Sequence, residues 1–187
     1  SSKGCSELVS KAYIKSFFGD GEGKVPYPAL ASARAGNVIG GGDWGEDRIV
    51  TDCIKALSSG QPLVLRCPHA VRPWQHVLEP LGGYLMIAEK LWAERKYDEE
   101  WNFGPTQESI VPVRKVADML IKKWGSGSWI DGSEKSKDHK HEAKLLSLDI
   151  TKVNTELKWK PVLSLEQAIY LVVEWHKKSQ GLKPEGV

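Results

Sequence analysis

The sequence predicts an α/β protein in which short strands alternate with helices and pair in parallel. One observation is the order of patterns: brief apolar runs at residues 29–34, 63–65 and 100–103 are separated by segments with helical spacing. A second is the run RAGNVIGGGDW, residues 34–44, in which the first strand leads into three glycines. A third is VRPWQHVLEP, residues 71–80, a strand-like segment that leads into a helix. Open α/β sheets bind ligands at such carboxyl ends of strands, so we expect a ligand site here.

The individual elements follow from local signals. The predicted helices are residues 3–18, 46–57, 78–96 and 113–124, a short helix after Thr151 and a last one after Ser164; a further strand is predicted at 145–149. Glycines or prolines end several of these elements, and residues 19–28 are predicted to form a surface loop. Thr151 is predicted to be an N-cap, and Ser164 with Gln167 predicts a capping box.

The composition is that of an ordinary globular domain. Of the 187 residues, 41% are hydrophobic and 27% are charged, and the net charge is +2. This charge predicts no nucleic-acid partner, and the lack of a continuous run of about 18 apolar residues predicts no membrane partner. Three cysteines without a CxxC motif suit the cytoplasm. Because the chain begins inside a helical pattern and without Met, we expect a fragment of a longer protein.

Residues 40–45, GGGDWG, match the GxGxxG pattern of dinucleotide-binding loops. We nevertheless interpret them as a substrate loop or a plain turn. A dinucleotide loop begins at the end of its strand, whereas Gly40 lies six residues after Arg34. Asp43 would also place a carboxylate beside the pyrophosphate that such a loop holds.

Three polar residues around this loop are candidates for binding a phosphate. The Asn37 amide can donate and accept hydrogen bonds, so it can hold a sugar phosphate or cap the backbone of its own loop. Arg48 lies in the first turn of the predicted helix, where a helix N-terminus already favours an anion. Arg72 precedes Pro73-Trp74, and arginine suits bidentate binding of phosphate. For both arginines the alternative is a surface salt bridge.

The sequence predicts no metal site. Residues 138–142, DHKHE, are dense in metal-ligand types, including His139 and His141, but lysines interleave them. No second cluster completes a tetrahedral set of ligands. We therefore expect a solvated polar loop in this part of the chain.

Two longer motifs resemble those of a known family. RAGNVIGGGDW with the later DRIV, and RPWQHVLEPLGGYL, resemble the nucleotide-sugar-binding half of the extended short-chain dehydrogenase/reductases. Within that family the motifs are most similar to the 4,6-dehydratases that act on CDP-glucose. Arg72, Trp74 and Val77 keep the R-x-W-x-x-V pattern of the family, in which the arginine grips the nucleotide diphosphate. Gln75-His76 departs from the aromatic or aliphatic pair of many members and is shared by the CDP-glucose enzymes.

The resemblance implies a fold and a reaction. Residues 1–36 and about 70–104 would come from a Rossmann-like NAD-binding domain, and about 37–69 and 105–187 from a mixed nucleotide-sugar-binding domain, together the C-terminal part of such an enzyme. The implied reaction is NAD-dependent dehydration of CDP-glucose to CDP-4-keto-6-deoxyglucose, a deoxysugar precursor for lipopolysaccharide. The full-length enzyme would be a homodimer or a higher homo-oligomer, and the chain alone would be inactive. Two alternatives are another extended reductase, such as an epimerase or a decarboxylase, and a non-catalytic nucleotide-sugar-binding module.

The resemblance also assigns the site residues. Lys3 matches the lysine of the Tyr-x-x-x-Lys motif of the family, which would serve catalysis and hold NAD, and the tyrosine would lie one residue before Ser1. Arg34 is the second residue expected to bind NAD. The residues expected to bind the nucleotide sugar are Asn37, Arg48, Arg72, Trp74 and His76.

Overall fold

The computed structural model describes residues 2–18, 29–136 and 145–179, in which strands and helices alternate along the chain. The helices are α1 (Ser2–Tyr13, continued by a π-helical turn Ile14–Phe18), α2 (Ile49–Ser58), α3 (Leu78–Ala93), α4 (Val113–Trp124), α5 (Thr151–Glu156) and α6 (Leu165–Lys178). The strands are β1 (Ser32–Ala35), β2 (Asn37–Ile39), β3 (Leu63–Leu65), β4 (Val71–His76), β5 (Glu100–Phe103), β6 (Ile110–Pro112) and β7 (Trp129–Asp131).

The strands form three small sheets with mainly parallel pairing, which confirms the predicted fold class. β1 pairs with β5 in parallel, β3 pairs with β7 in parallel, and β4 lies between parallel β2 and antiparallel β6. The chain crosses from the first sheet to the second at Gly36, between β1 and β2. A Cβ at Gly36 would lie 2.8 Å from the backbone oxygen of Pro73, so a side chain there would separate β2 from β4.

Two hydrophobic clusters support these sheets. The first packs α2, α4 and α6 against β2, β3 and β4, and its fully buried members include Cys53, Leu120 and Val172. Burial raises the pKa of the Cys53 thiol to about 12, so this cysteine is a packing residue. The second cluster surrounds Trp101 and Phe103 of β5, which expose no surface. Burial of apolar surface of this kind supplies most of the driving force for folding.

Several predicted elements have the predicted bounds. β3, β5 and α4 begin and end where their patterns place them. The capping box is confirmed, because the Gln167 backbone N–H donates to Ser164 Oγ (3.2 Å) and the Ser164 N–H donates to Gln167 Oε1 (2.8 Å). The Thr151 prediction is wrong. Thr151 is the first residue of α5, and its N–H donates to Asp149 Oδ1 (2.8 Å).

Other bounds differ for local reasons. α2 begins at residue 49, not 46, because Asp47 has a positive φ of 60° and Arg48 is extended. α3 ends at residue 93, not 96, because Glu94 is extended. Residue 145 makes a single bridge to Val71 in place of the strand predicted at 145–149. The predicted loops at 19–28 and 138–142, the latter with His139 and His141, lie outside the described residues.

Two adjacent glycines of α3 should respond oppositely to alanine. A Cβ at Gly82 meets nothing within 4 Å, whereas a Cβ at Gly83 would overlap the ring of Phe103. We expect Gly82→Ala to stabilise the fold by about 0.5–1 kcal/mol because the unfolded chain loses freedom. Gly83→Ala should destabilise it by about 1–3 kcal/mol through overpacking. Urea unfolding of both variants measures this, and changes of the same sign would contradict it.

Candidate nucleotide-sugar site

One cavity of about 680 Å³ gathers most of the predicted substrate residues. It lies between the ends of β2 and β4, the first turns of α2, and β3 with the residues that follow it. Asn37, Arg48, Arg72 and Trp74 all line it. These residues come from separate parts of the sequence, and the pairing of β2 with β4 and the packing of α2 beside them bring the four together.

Arg72 and Trp74 form one wall of the cavity. They alternate with Pro73 along β4, so both side chains lie on the same face of the strand. Trp74 is 2% exposed and its Nε1–H donates to the Val111 backbone oxygen (3.0 Å), which fixes the indole in the wall. Arg72 is 6% exposed and its Nη1 donates to the Val71 oxygen (2.8 Å). A buried guanidinium that lines a cavity is suited to an anionic ligand.

Asn37 lies directly opposite Trp74 in the pairing of β2 with β4. Its side chain is half-buried. Among the described residues, no hydrogen bond to the Asn37 amide is observed, and the residue lines the cavity. An amide in this position can donate to a ligand or accept from one.

Arg48 is held at the mouth of the cavity by Asp43. The Nη1 of Arg48 donates to both carboxylate oxygens of Asp43 (3.0 and 2.8 Å), and the backbone N–H of Gly45 donates to Asp43 Oδ1 (3.0 Å). Partial burial works to raise the pKa of Asp43, but these hydrogen bonds outweigh it and hold the pKa below its ordinary value. Among the described residues, no hydrogen bond from the Nε or Nη2 of Arg48 is observed, so this edge of the guanidinium can still donate to an anion.

The glycines before Asp43 serve packing against α6. A Cβ at Gly41 would overlap the indole of Trp175, and Gly42 has a positive φ of 75° that favours glycine. Trp44 also packs edge-to-face on the ring of His176 (5.6 Å between centroids). Burial lowers the pKa of His176, although Asp43 opposes the shift. The last helix thus holds the loop that carries Asp43.

The predicted substrate residues do not include three further charged residues of the cavity. Asp47 and Arg66 form an ion pair of 2.9 Å, and Asp52 of α2 contributes a third carboxylate beside those of Asp43 and Asp47. Asp52 lies four residues after Arg48, a spacing that puts two side chains on the same face of a helix. That spacing is the signal that could have identified it.

The structure does not bring the other three predicted residues to this cavity. Lys3 is exposed on α1 and pairs with no other described residue. Arg34 of β1 has its Nε 3.6 Å from Glu7 Oε1. His76 is buried at the end of β4, where its Nδ1 accepts the Leu78 N–H (3.3 Å), and burial lowers its pKa although Glu79 opposes the shift.

Two further properties concern the described part of the chain alone. In it, no three His, Cys, Asp or Glu side chains come together in a way that could hold a metal ion. None of its helices has both the length and the apolar character needed to cross a bilayer.

Comparison with known proteins gives a strong sequence match. No protein family model matches the chain. The chain is 44% identical over 178 residues to the CDP-glucose 4,6-dehydratase of Salmonella typhimurium. The matched segment covers 94% of this chain and 49% of that protein. The chain therefore spans about half the length of the curated relative that it matches.

Solved structures share the fold. UDP-glucuronic acid 4-epimerase from Bacillus cereus, in complex with UDP-glucuronic acid and NAD, matches with a TM-score of 0.75 and 21% identity over 92% of this chain and 50% of that one. dTDP-glucose 4,6-dehydratase from Bacillus anthracis, in complex with NAD, matches with a TM-score of 0.69 and 17% identity over 93% and 50%. By sequence the chain is similar to a CDP-glucose 4,6-dehydratase, and by fold to solved nucleotide-sugar epimerases and dehydratases, the resemblance that its motifs predict.

Proposed function

We propose that the protein containing this chain dehydrates CDP-glucose to CDP-4-keto-6-deoxyglucose with NAD as its cofactor. The observation that carries this proposal is the 44% identity, over 94% of the chain, to a protein named CDP-glucose 4,6-dehydratase. The cavity adds support, since it places Asn37, Arg48 and Arg72 around one space of a size suited to a small ligand.

In this proposal the chain supplies the nucleotide-sugar site. Arg72 and the free edge of Arg48 bind the diphosphate, because guanidinium groups match phosphate oxygens in geometry and charge. Asn37 donates to a phosphate or hydroxyl oxygen of the same ligand. Trp74 shapes the wall and keeps water away from it. The binding energy of these contacts to the non-reacting part of the substrate would orient the sugar for the reaction.

The proposal also includes a cofactor site. When bound, NAD supplies the hydride acceptor and donor for the sugar. Lys3 fits a role beside it, since its exposed ammonium has no partner among the described residues and can donate to a ribose hydroxyl. Arg34 fits less well because Glu7 already lies beside its guanidinium. We retain the proposed division in which residues 1–36 and about 70–104 face the cofactor and about 37–69 and 105–187 the nucleotide sugar. We also propose a homo-oligomer in the cytoplasm.

Turnover by the intact protein tests this function. The protein is incubated with CDP-glucose and NAD, and the 4-keto product is detected by its absorbance in alkali, with nucleotide-sugar epimers separated by chromatography. We expect the 4-keto product and no epimer. An epimer alone would identify the protein as an epimerase, and tight binding of CDP-glucose without any turnover would identify a binding module. Either result would contradict the proposal.

A further inference from the structure

The three carboxylates of the cavity are not equivalent. Asp43 is paired with Arg48 (2.8 Å), and Asp47 is paired with Arg66 (2.9 Å). Asp52 lines the same cavity but makes no side-chain hydrogen bond or ion pair with any residue that the structure describes. Among the described residues, Asp52 is therefore the one cavity carboxylate whose oxygens accept no hydrogen bond from a side chain.

The position of Asp52 in α2 leaves its carboxylate partly shielded from water. The backbone N–H of Asp52 donates to the Arg48 oxygen (2.8 Å), so the residue is held in the first turn of the helix. The side chain is half-buried, and burial raises its pKa although Arg66 opposes the shift. A carboxylate in such surroundings gains from a hydrogen-bond donor more than one in bulk water does.

The lining next to Asp52 indicates what kind of group brings that donor. Ile49 and Val50 of α2 and Leu63 and Val64 of β3 provide apolar surface in the same cavity, whereas the polar side chains of Asn37 and Arg72 lie on β2 and β4. A flat ring suits the apolar side chains of the lining, and a phosphate suits its arginines and Asn37. Of the pyrimidine bases of nucleotide sugars, cytosine carries an exocyclic amino donor, which aspartate side chains accept in base recognition.

We propose that Asp52 accepts a hydrogen bond from the exocyclic amino group of cytosine and thereby selects the nucleotide. This inference rests on the proposed function and adds a specificity-determining residue to it. Uracil and thymine carry a carbonyl oxygen in place of the amino group, so the carboxylate would face a second acceptor. Two buried acceptors without a donor between them oppose binding more than the loss of an apolar contact does.

Asp52→Asn tests this through the affinities for CDP and UDP, which differ only in the base. The asparagine side chain has the same shape and can either accept or donate, so it suits both bases. We expect the ratio of the two affinities, measured by calorimetry on the intact protein, to fall by about tenfold or more. Glu46→Gln is the matched control, since Glu46 is an exposed carboxylate outside the cavity lining. It should leave the ratio unchanged.

The possible outcomes separate the two proposals. If the wild-type protein binds neither nucleotide, the proposed function fails. If the wild-type protein prefers CDP and Asp52→Asn keeps that preference, the function stands and the role of Asp52 is overturned. An equal loss for CDP and UDP would show that Asp52 contacts the ribose or the phosphates, which also overturns it. The unfolding midpoint of each variant shows that the fold is kept.

Discussion

Arg72→Ala should raise the KM of the intact protein for CDP-glucose by about ten- to a hundredfold. A hydrogen bond to a charged group contributes about 1.5–3 kcal/mol, and Arg72 is the buried guanidinium of the cavity wall. Steady-state kinetics measure the effect. Arg72→Lys should fall between the wild type and Arg72→Ala, because lysine keeps the charge but cannot bind a phosphate through two parallel hydrogen bonds.

Arg114→Ala provides the control for this experiment. Arg114 is an exposed cation on α4 that does not line the cavity, so the same change of charge there should leave the KM unchanged. The unfolding temperature of Arg72→Ala is needed as well, since Arg72 is 6% exposed. A folded Arg72→Ala protein whose KM is within about twofold of the wild-type value would show that Arg72 does not contact the diphosphate.

The alternation of strands and helices was predictable because it depends on local patterns. Arg72 and Trp74 could be placed together from sequence, since a spacing of two in a strand puts side chains on one face. The same spacing includes His76, yet His76 does not reach the cavity lining. It is the last residue of β4, and its Nδ1 accepts the N–H of Leu78 at the start of α3. The hydrogen bond with the first residue of α3 thus orients the His76 side chain.

The role of the glycine run could not be predicted from its own residues. Gly41 is required by Trp175 of α6, a contact between distant parts of the sequence that no local pattern reveals. β2, β6 and β7, of three residues each, also escaped prediction. Asp52 was missed for a different reason. Its lack of a partner is a property of the folded cavity, in which the arginines pair with other carboxylates.

The intact protein should prefer CDP-glucose to UDP-glucose and dTDP-glucose by at least about a hundredfold in kcat/KM. A site that hydrogen-bonds a polar group of its substrate discriminates strongly against analogues that lack the group, because its own polar atoms are then buried without partners. The carboxylate of Asp52 is such a polar group in the cavity. The Salmonella protein that is 44% identical to this chain is named a CDP-glucose 4,6-dehydratase.

A competition experiment measures this preference directly. The three nucleotide sugars are mixed at equal concentration, and the rate at which each disappears gives the ratio of the kcat/KM values. Because all three carry the same diphosphate, Arg48 and Arg72 should bind them equally, and the preference must come from the nucleoside end of the cavity. If dTDP-glucose is consumed as fast as CDP-glucose, the protein can still be a 4,6-dehydratase, but it does not select cytidine. The proposed role of Asp52 in the cavity would then be wrong.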